Sequence, residues 1–259
     1  MRACDPVFVN PNSFDSMKEV LRRVGKAANV KRYHPNKEDA RHWLSLTMDG
    51  LPYLVVRGII DEVHICAQCE KEVIKSDFSS HDLVNHKGQI IEYVREFDWV
   101  VLRIGKLHVE MNMAKTLVNV TWEVFFSQMA SEMGFKTEAA QKFAHKCSDH
   151  HKTASLIEIA HVGIWSELLV PYVKARLEAG ERLSVNDYLY AWIPDNAFKC
   201  PRYRFMFLMA WKFFSAFKIF HIGVRRNNAR YVHAGQMAFS SLFHRSSASK
   251  YALIDLYDR

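Results

Sequence analysis

Cysteine is scarce: five in 259 residues, at Cys4, Cys66, Cys69, Cys147 and Cys200. An odd count with a single close pair argues against a secreted disulfide framework and for a reducing, intracellular setting. No apolar run reaches about 18 residues free of charge, so no membrane span is expected. The nearest run, residues 205–224, is interrupted by Lys212 and Lys218. The opening MRACDPVFVNPNS holds no sustained apolar stretch and does not read as a signal peptide. There is no internal repeat and no low-complexity tract. At 24% charged residues, wholesale disorder is not expected either.

What is there is core material. The chain is 49% hydrophobic, with 17 Phe, 10 Tyr and 6 Trp, and is long enough for one large domain or two small ones. A net charge of +7 permits an acidic partner such as nucleic acid without requiring one. A protein partner is equally open, and no small-molecule substrate is indicated.

The close cysteine pair begins the strongest motif, ICAQCEKEVIKSDFSSHDLVNHKG, in which Cys66, Cys69, His81 and His86 follow the spacing C-x2-C-x11-H-x4-H. Thiolates and imidazoles are the donors tetrahedral zinc selects, and the central gap is one residue short of the usual twelve or so. Ile65, Val73 and Phe78 supply the small core such a unit needs. The reading is a structural Zn2+ site within residues 64–88, with His64 as a competing ligand. Free thiols and surface histidines on a strand-turn-helix are the alternative. The positions that read bases in a finger helix fall on Ile74, Asp77 and Ser80. None is Arg or Lys, the commonest readers of guanine. A finger that staples a larger fold is therefore favoured over base recognition.

In order along the chain, residues 1–40 read as a lead-in, a helix capped by Ser13 and a charged loop. Residues 41–105 read as strand-rich. Residues 43–48 alternate as a strand, Asp49-Gly50 signals a turn, and the Val- and Ile-rich residues 53–60 suit a second strand pairing back. Residues 99–104 read as a buried strand ended by Gly105. Residues 106–259 read as a helical domain, with Gly134 and Gly180 as stops and Pro171 ending or kinking a helix. The expected fold class is α+β, mostly helical, with a small strand-containing N-terminal part around the finger.

Three polar groupings carry possible chemistry. His108 and Glu110 follow an apolar strand, although residues two apart on a helix do not share a face. Asp149 opens the run Asp149-His150-His151-Lys152 and suits either acid–base work or helix capping. Asp49 ends a strand, where a turn is the stronger reading. Separately, Arg202, Lys218, Arg225, Arg226 and Arg230 form a basic grouping able to hold phosphates, or a solvated helix start.

The segments RHWLSLTMDGLPY, FDWVVLRIGKLHVEMNMAK, CSDHHKTASLIEIAHVGIWSELLVPYV and HIGVRRNNARYVHAGQMAFSSLFH, with the finger, resemble an uncharacterised animal family of transposon-associated proteins. These carry a domain of unknown function with an embedded two-Cys, two-His finger. Its members are typically longer at both ends, so the resemblance implies an internal fragment or a reduced copy. It also implies a transposon-derived module that binds nucleic acid or protein, more nuclear than cytoplasmic and more binding protein than enzyme. By analogy with transposases it leaves open a ribonuclease H-type nuclease, using Mg2+ or Mn2+ held by Asp49, Glu110 and Asp149 with His108. A structural interaction domain that meets no nucleic acid is the third expectation.

Overall fold

The computed structural model describes residues 10–246 and 249–257; Cys4 and the first part of the lead-in lie outside them. The chain is a mostly helical α+β protein whose strands are confined to its N-terminal part. It divides into two compact units at Gly105 and Lys106.

In the first unit, Ser13 caps helix α1 (Phe14–Ala27) by accepting from the Ser16 amide. This helix buries Met17, Leu21 and Gly25. A methyl group at Gly25 would meet the Tyr33 ring at 2.3 Å, so the helix seats directly on that ring. Strand β1 (Leu44–Met48) leads into helix α2 (Gly50–Glu62), strand β2 (Val63–Cys66), strand β3 (Glu72–Ile74), helix α3 (Phe78–Asn85), strand β4 (Tyr93–Arg95) and strand β5 (Val100–Ile104). The sheet β3-β2-β4 is antiparallel, whereas β1 pairs with β5 in parallel from Leu44↔Val100 to Met48↔Ile104.

That pairing corrects one expectation. Residues 53–60 are not a strand returning from an Asp-Gly turn; they lie inside α2. Asp49 acts as the helix cap, accepting from the Gly50 amide at 2.6 Å. The apolar run then works at helical spacing, burying Tyr53, Val56, Ile59 and Ile60 on one face. A parallel partner cannot be reached by a tight turn, and β1 meets β5 only after the intervening elements. The core of this unit gathers Leu21, Val56, Ile59, Phe97 and Trp99 beneath the two-stranded sheet and α1.

The second unit is helical. Helix α4 (Lys106–Thr121) widens into a π turn at Trp122–Phe126 and continues as α5 (Ser127–Glu132), which stops at Gly134 in the left-handed region with φ of 104°. Thr137 caps α6 (Glu138–His145), and Asp149 caps α7 (His150–Glu178). Pro171 sits inside α7, so of the two expectations for it, ending or kinking a helix, the ending is excluded. A capped helix of this length carries one missing N–H when its face is packed, and Leu168 and Tyr172 beside the proline are both buried. Ser184 caps α8 (Val185–Asp187), which runs through a π turn at Tyr188–Trp192 into α9 (Ile193–Lys199). Helix α10 (Pro201–Leu208), a π turn at Met209–Phe214 and α11 (Ser215–Arg225) make one continuous rod. Helices α12 (Ala229–Arg245) and α13 (Ser249–Tyr257) close the chain.

By length and composition, α7 and the rod Pro201–Arg225 are each apolar enough to cross a membrane, which the reading of uninterrupted runs did not anticipate. Their few charges, Lys212 and Lys218 among them, leave the mean hydropathy of a long window high. Helices α11 and α12 pack at backbone contact: a methyl at Gly223 would meet the Val232 amide nitrogen at 2.6 Å, and one at Gly235 would meet the Ala216 carbonyl at 2.7 Å.

Candidate metal centre

Strand β2 delivers Cys66 to the tip of a hairpin. The Cys66 amide donates to the Lys71 carbonyl and the Glu70 amide donates back to the Cys66 carbonyl. Glu70 takes a left-handed backbone with φ of 58°, turning the chain so that Cys69 comes back beside Cys66. Burial works against ionisation of the Cys66 thiol, but amide N–H groups of Cys69 and Gln68 outweigh it and hold the thiol below the ordinary cysteine range.

The histidines come from α3 and its end. His81 lies within the helix, while His86 is the residue after its last turn. Five residues is too long a step for one helical face, and the chain solves this by unwinding. The Gly88 amide donates to the Asp82 carbonyl, and Lys87 and Gly88 are both left-handed. His86 itself departs from helical geometry, with φ of −127° and ψ of 17°, and its Nε2 lies 3.2 Å from Nε2 of His81. The Cys66 Sγ lies 3.3 Å from His86 Nε2, and the Cys69 Sγ lies 3.4 Å from His81 Nε2. All four donor atoms fall within 4.8 Å of one another, so this group can hold a metal ion. With Zn–S near 2.3 Å and Zn–N near 2.0–2.1 Å, a tetrahedron has edges of about 3.3 Å between nitrogens and about 3.5 Å between sulfur and nitrogen. The observed separations match those edges.

An aromatic stack supports the centre. Phe78 lies face to face with Tyr93, centroids 3.8 Å apart, and His64 meets Phe78 edge-on at 5.0 Å. The Tyr93 hydroxyl reaches Asp82 at 2.7 Å. His64, the expected competitor, is no ligand: it is buried in this stack with Nδ1 3.2 Å from the Glu62 carbonyl. The outward face of α3 carries no Lys or Arg. It presents Leu83 and Val84, which are 70% and 82% exposed.

The other candidates separate. Asp149 accepts from the Lys152 amide at 3.0 Å; that bond holds its carboxyl below the usual range and commits it to capping α7. Asp49 caps α2 in the first unit. Glu110 and Asp149 belong to the second unit. Glu110 is buried in α4 between two histidines, and His108, two residues earlier, lies on a different face. Of the basic grouping, Lys218 is 3.2 Å from Glu158 and lines one pocket together with Arg225. Arg202, Arg226 and Arg230 are exposed at helix ends. The partners of Glu110, His150 Nε2 at 2.9 Å and His221 Nδ1 at 2.6 Å, were not paired with it by sequence reasoning. His221 stands 111 positions away, and no local pattern marks it.

Comparison with protein-family models, with curated proteins and with solved structures finds no match for this chain.

Proposed function

We propose that this chain is a zinc-stapled, transposon-derived binding module, with Cys66, Cys69, His81 and His86 holding one structural Zn2+ and the fold around it meeting a protein or nucleic-acid partner in the nucleus. The observation that carries this reading is the 3.2 Å approach of the two histidine Nε2 atoms beside two sulfurs at 3.3 and 3.4 Å. Bare nitrogens at that distance repel or share a proton, and a bound cation accounts for all four at once. The role is structural because the four donors close a tetrahedron and leave no position for substrate.

Leu83 and Val84, exposed on the helix that a DNA-reading finger would place in the groove, favour protein as the partner of this face. The nuclease alternative has no comparable support, since Asp49 and Asp149 are occupied as helix caps. Cobalt tests the reading. Co2+ added to metal-stripped protein should give the intense visible absorption of a tetrahedral sulfur–nitrogen site, displaced by an equivalent of Zn2+. A weak octahedral spectrum, or none, would contradict it.

A further inference from the structure

The second unit contains a polar cluster that the zinc reading does not use. Glu110 is 2% exposed, and one of its oxygens, Oε1, faces His221 Nδ1 at 2.6 Å and His150 Nε2 at 2.9 Å. These three do not form a cation site. Among the described residues, only the finger group brings its donor atoms within 4.8 Å of one another, so the two ring nitrogens stand further apart than one ion bridges. The cluster is a carboxylate with an imidazole on either side.

His221 also lines a cavity of about 280 Å³ between α7 and the rod Pro201–Arg225. Its Nδ1 edge is given to Glu110, so Nε2, on the opposite edge of the ring, is turned away from the carboxylate. Phe217 stacks on the ring at 6.0 Å and fixes its plane. Ile157 and Phe214 give the cavity an apolar wall, and Lys218 and Arg225 supply positive charge. Lys218 is shared with Glu158, but Arg225 has no ion pair among the described residues. His151, Ser155 and His161 complete the polar lining, and His161 accepts an N–H from Trp165 on its Nε2 at 2.8 Å. Burial, and then Lys218, push its pKa below the ordinary histidine value, so it adds no charge near neutrality.

We infer that this cavity is a binding site for a small phosphate-bearing molecule, with Arg225 and His221 contacting the phosphate and Glu110 positioning His221. Arg225 is the group best suited to a phosphate, because its guanidinium offers paired N–H donors. Glu110 holds the Nδ1 edge of the His221 ring, so Nε2 on the other edge is the nitrogen available to meet an oxyanion. The volume sits at the small end of ligand pockets, which suits a phosphate with a compact organic body rather than a polymer.

The experiment titrates inorganic phosphate into the full chain at constant ionic strength and follows the histidine side chains by 15N-correlated NMR. Saturable shifts of the His221 ring signals are expected. Arg225→Gln, an exposed change that leaves the fold intact, should weaken binding by about tenfold or more. Glu110→Gln should weaken it likewise and change the His221 ring-nitrogen shifts before phosphate is added, a signature that packing alone would not move. Failure to saturate would overturn the proposal, as would an affinity in Arg225→Gln within tenfold of the original protein. Neither result bears on the zinc centre, which lies in the other unit.

Discussion

Arg22 grips Glu96 with both prongs of its guanidinium, Nε to Oε1 at 2.7 Å and Nη2 to Oε2 at 2.8 Å. The same Nη2 also contacts Glu72 on β3, the strand that forms half of the finger hairpin. One arginine on α1 therefore ties the start of the unit to the hairpin and to the segment after β4. Glu96 is 5% exposed, so removing its partner strands a buried carboxylate. Arg22→Met should cost about 2 kcal/mol or more in a denaturant melt, the buried-pair figure being reduced for the partly exposed arginine. A loss under about 0.5 kcal/mol would show that the pair is only a surface contact.

Glu72 makes the same junction sensitive to acid. Burial raises its pKa, but hydrogen bonds from Lys18 and Arg22 outweigh that and hold it below the ordinary value of 4.5. A carboxyl lowered in the folded state contributes stability that is complete above its unfolded pKa and lost as pH falls through the folded one. Against Glu72→Gln, the original protein should hold its advantage near neutrality and lose it below about pH 4.5. A difference that stays constant with pH would contradict the assignment.

The α11–α12 contact has no room for a side chain at Gly235, where a methyl would also meet the Phe220 backbone nitrogen at 2.7 Å. Backbone cannot move aside as a flexible side chain can. Gly235→Ala should destabilise the second unit by about 1–3 kcal/mol, while Gly163→Ala, whose methyl meets only the end of Met129 at 3.6 Å, should be nearly neutral. Equal thermal shifts for the two variants would argue against close packing of this hairpin.

Any DNA binding should come from phosphate contacts. Arg226→Ala is expected to weaken binding to arbitrary duplexes and reduce the salt slope by about 0.9, the release of a single counterion. Ser80→Ala, on the finger helix, should change neither affinity nor sequence preference. A sequence preference lost with Ser80 would make α3 a reading helix.

How much of this was legible follows the distance over which each relationship acts. The four donors able to hold a metal could be read because the hairpin tip, the short helix and its end all lie within one local segment, and the caps Ser13 and Asp149 are local too. Residues 53–60 misled because Val and Ile suit strand and buried helix alike. The deciding fact, that β1 pairs with β5, is set by a strand far along the chain. Asp149 stood open between acid–base work and helix capping, and its carboxylate serves the Lys152 amide as a cap. Glu110 was noticed without its partners, since the contact with His221 joins α4 to α11 and has no spacing to betray it.

The metal content of the purified protein tests the central claim most directly. One zinc per chain is expected by elemental mass spectrometry, and Cys66→Ser should lose it together with a large part of the melting temperature of the first unit. A metal-free protein that melts where the loaded one does, and is indifferent to Cys66→Ser, would contradict the account.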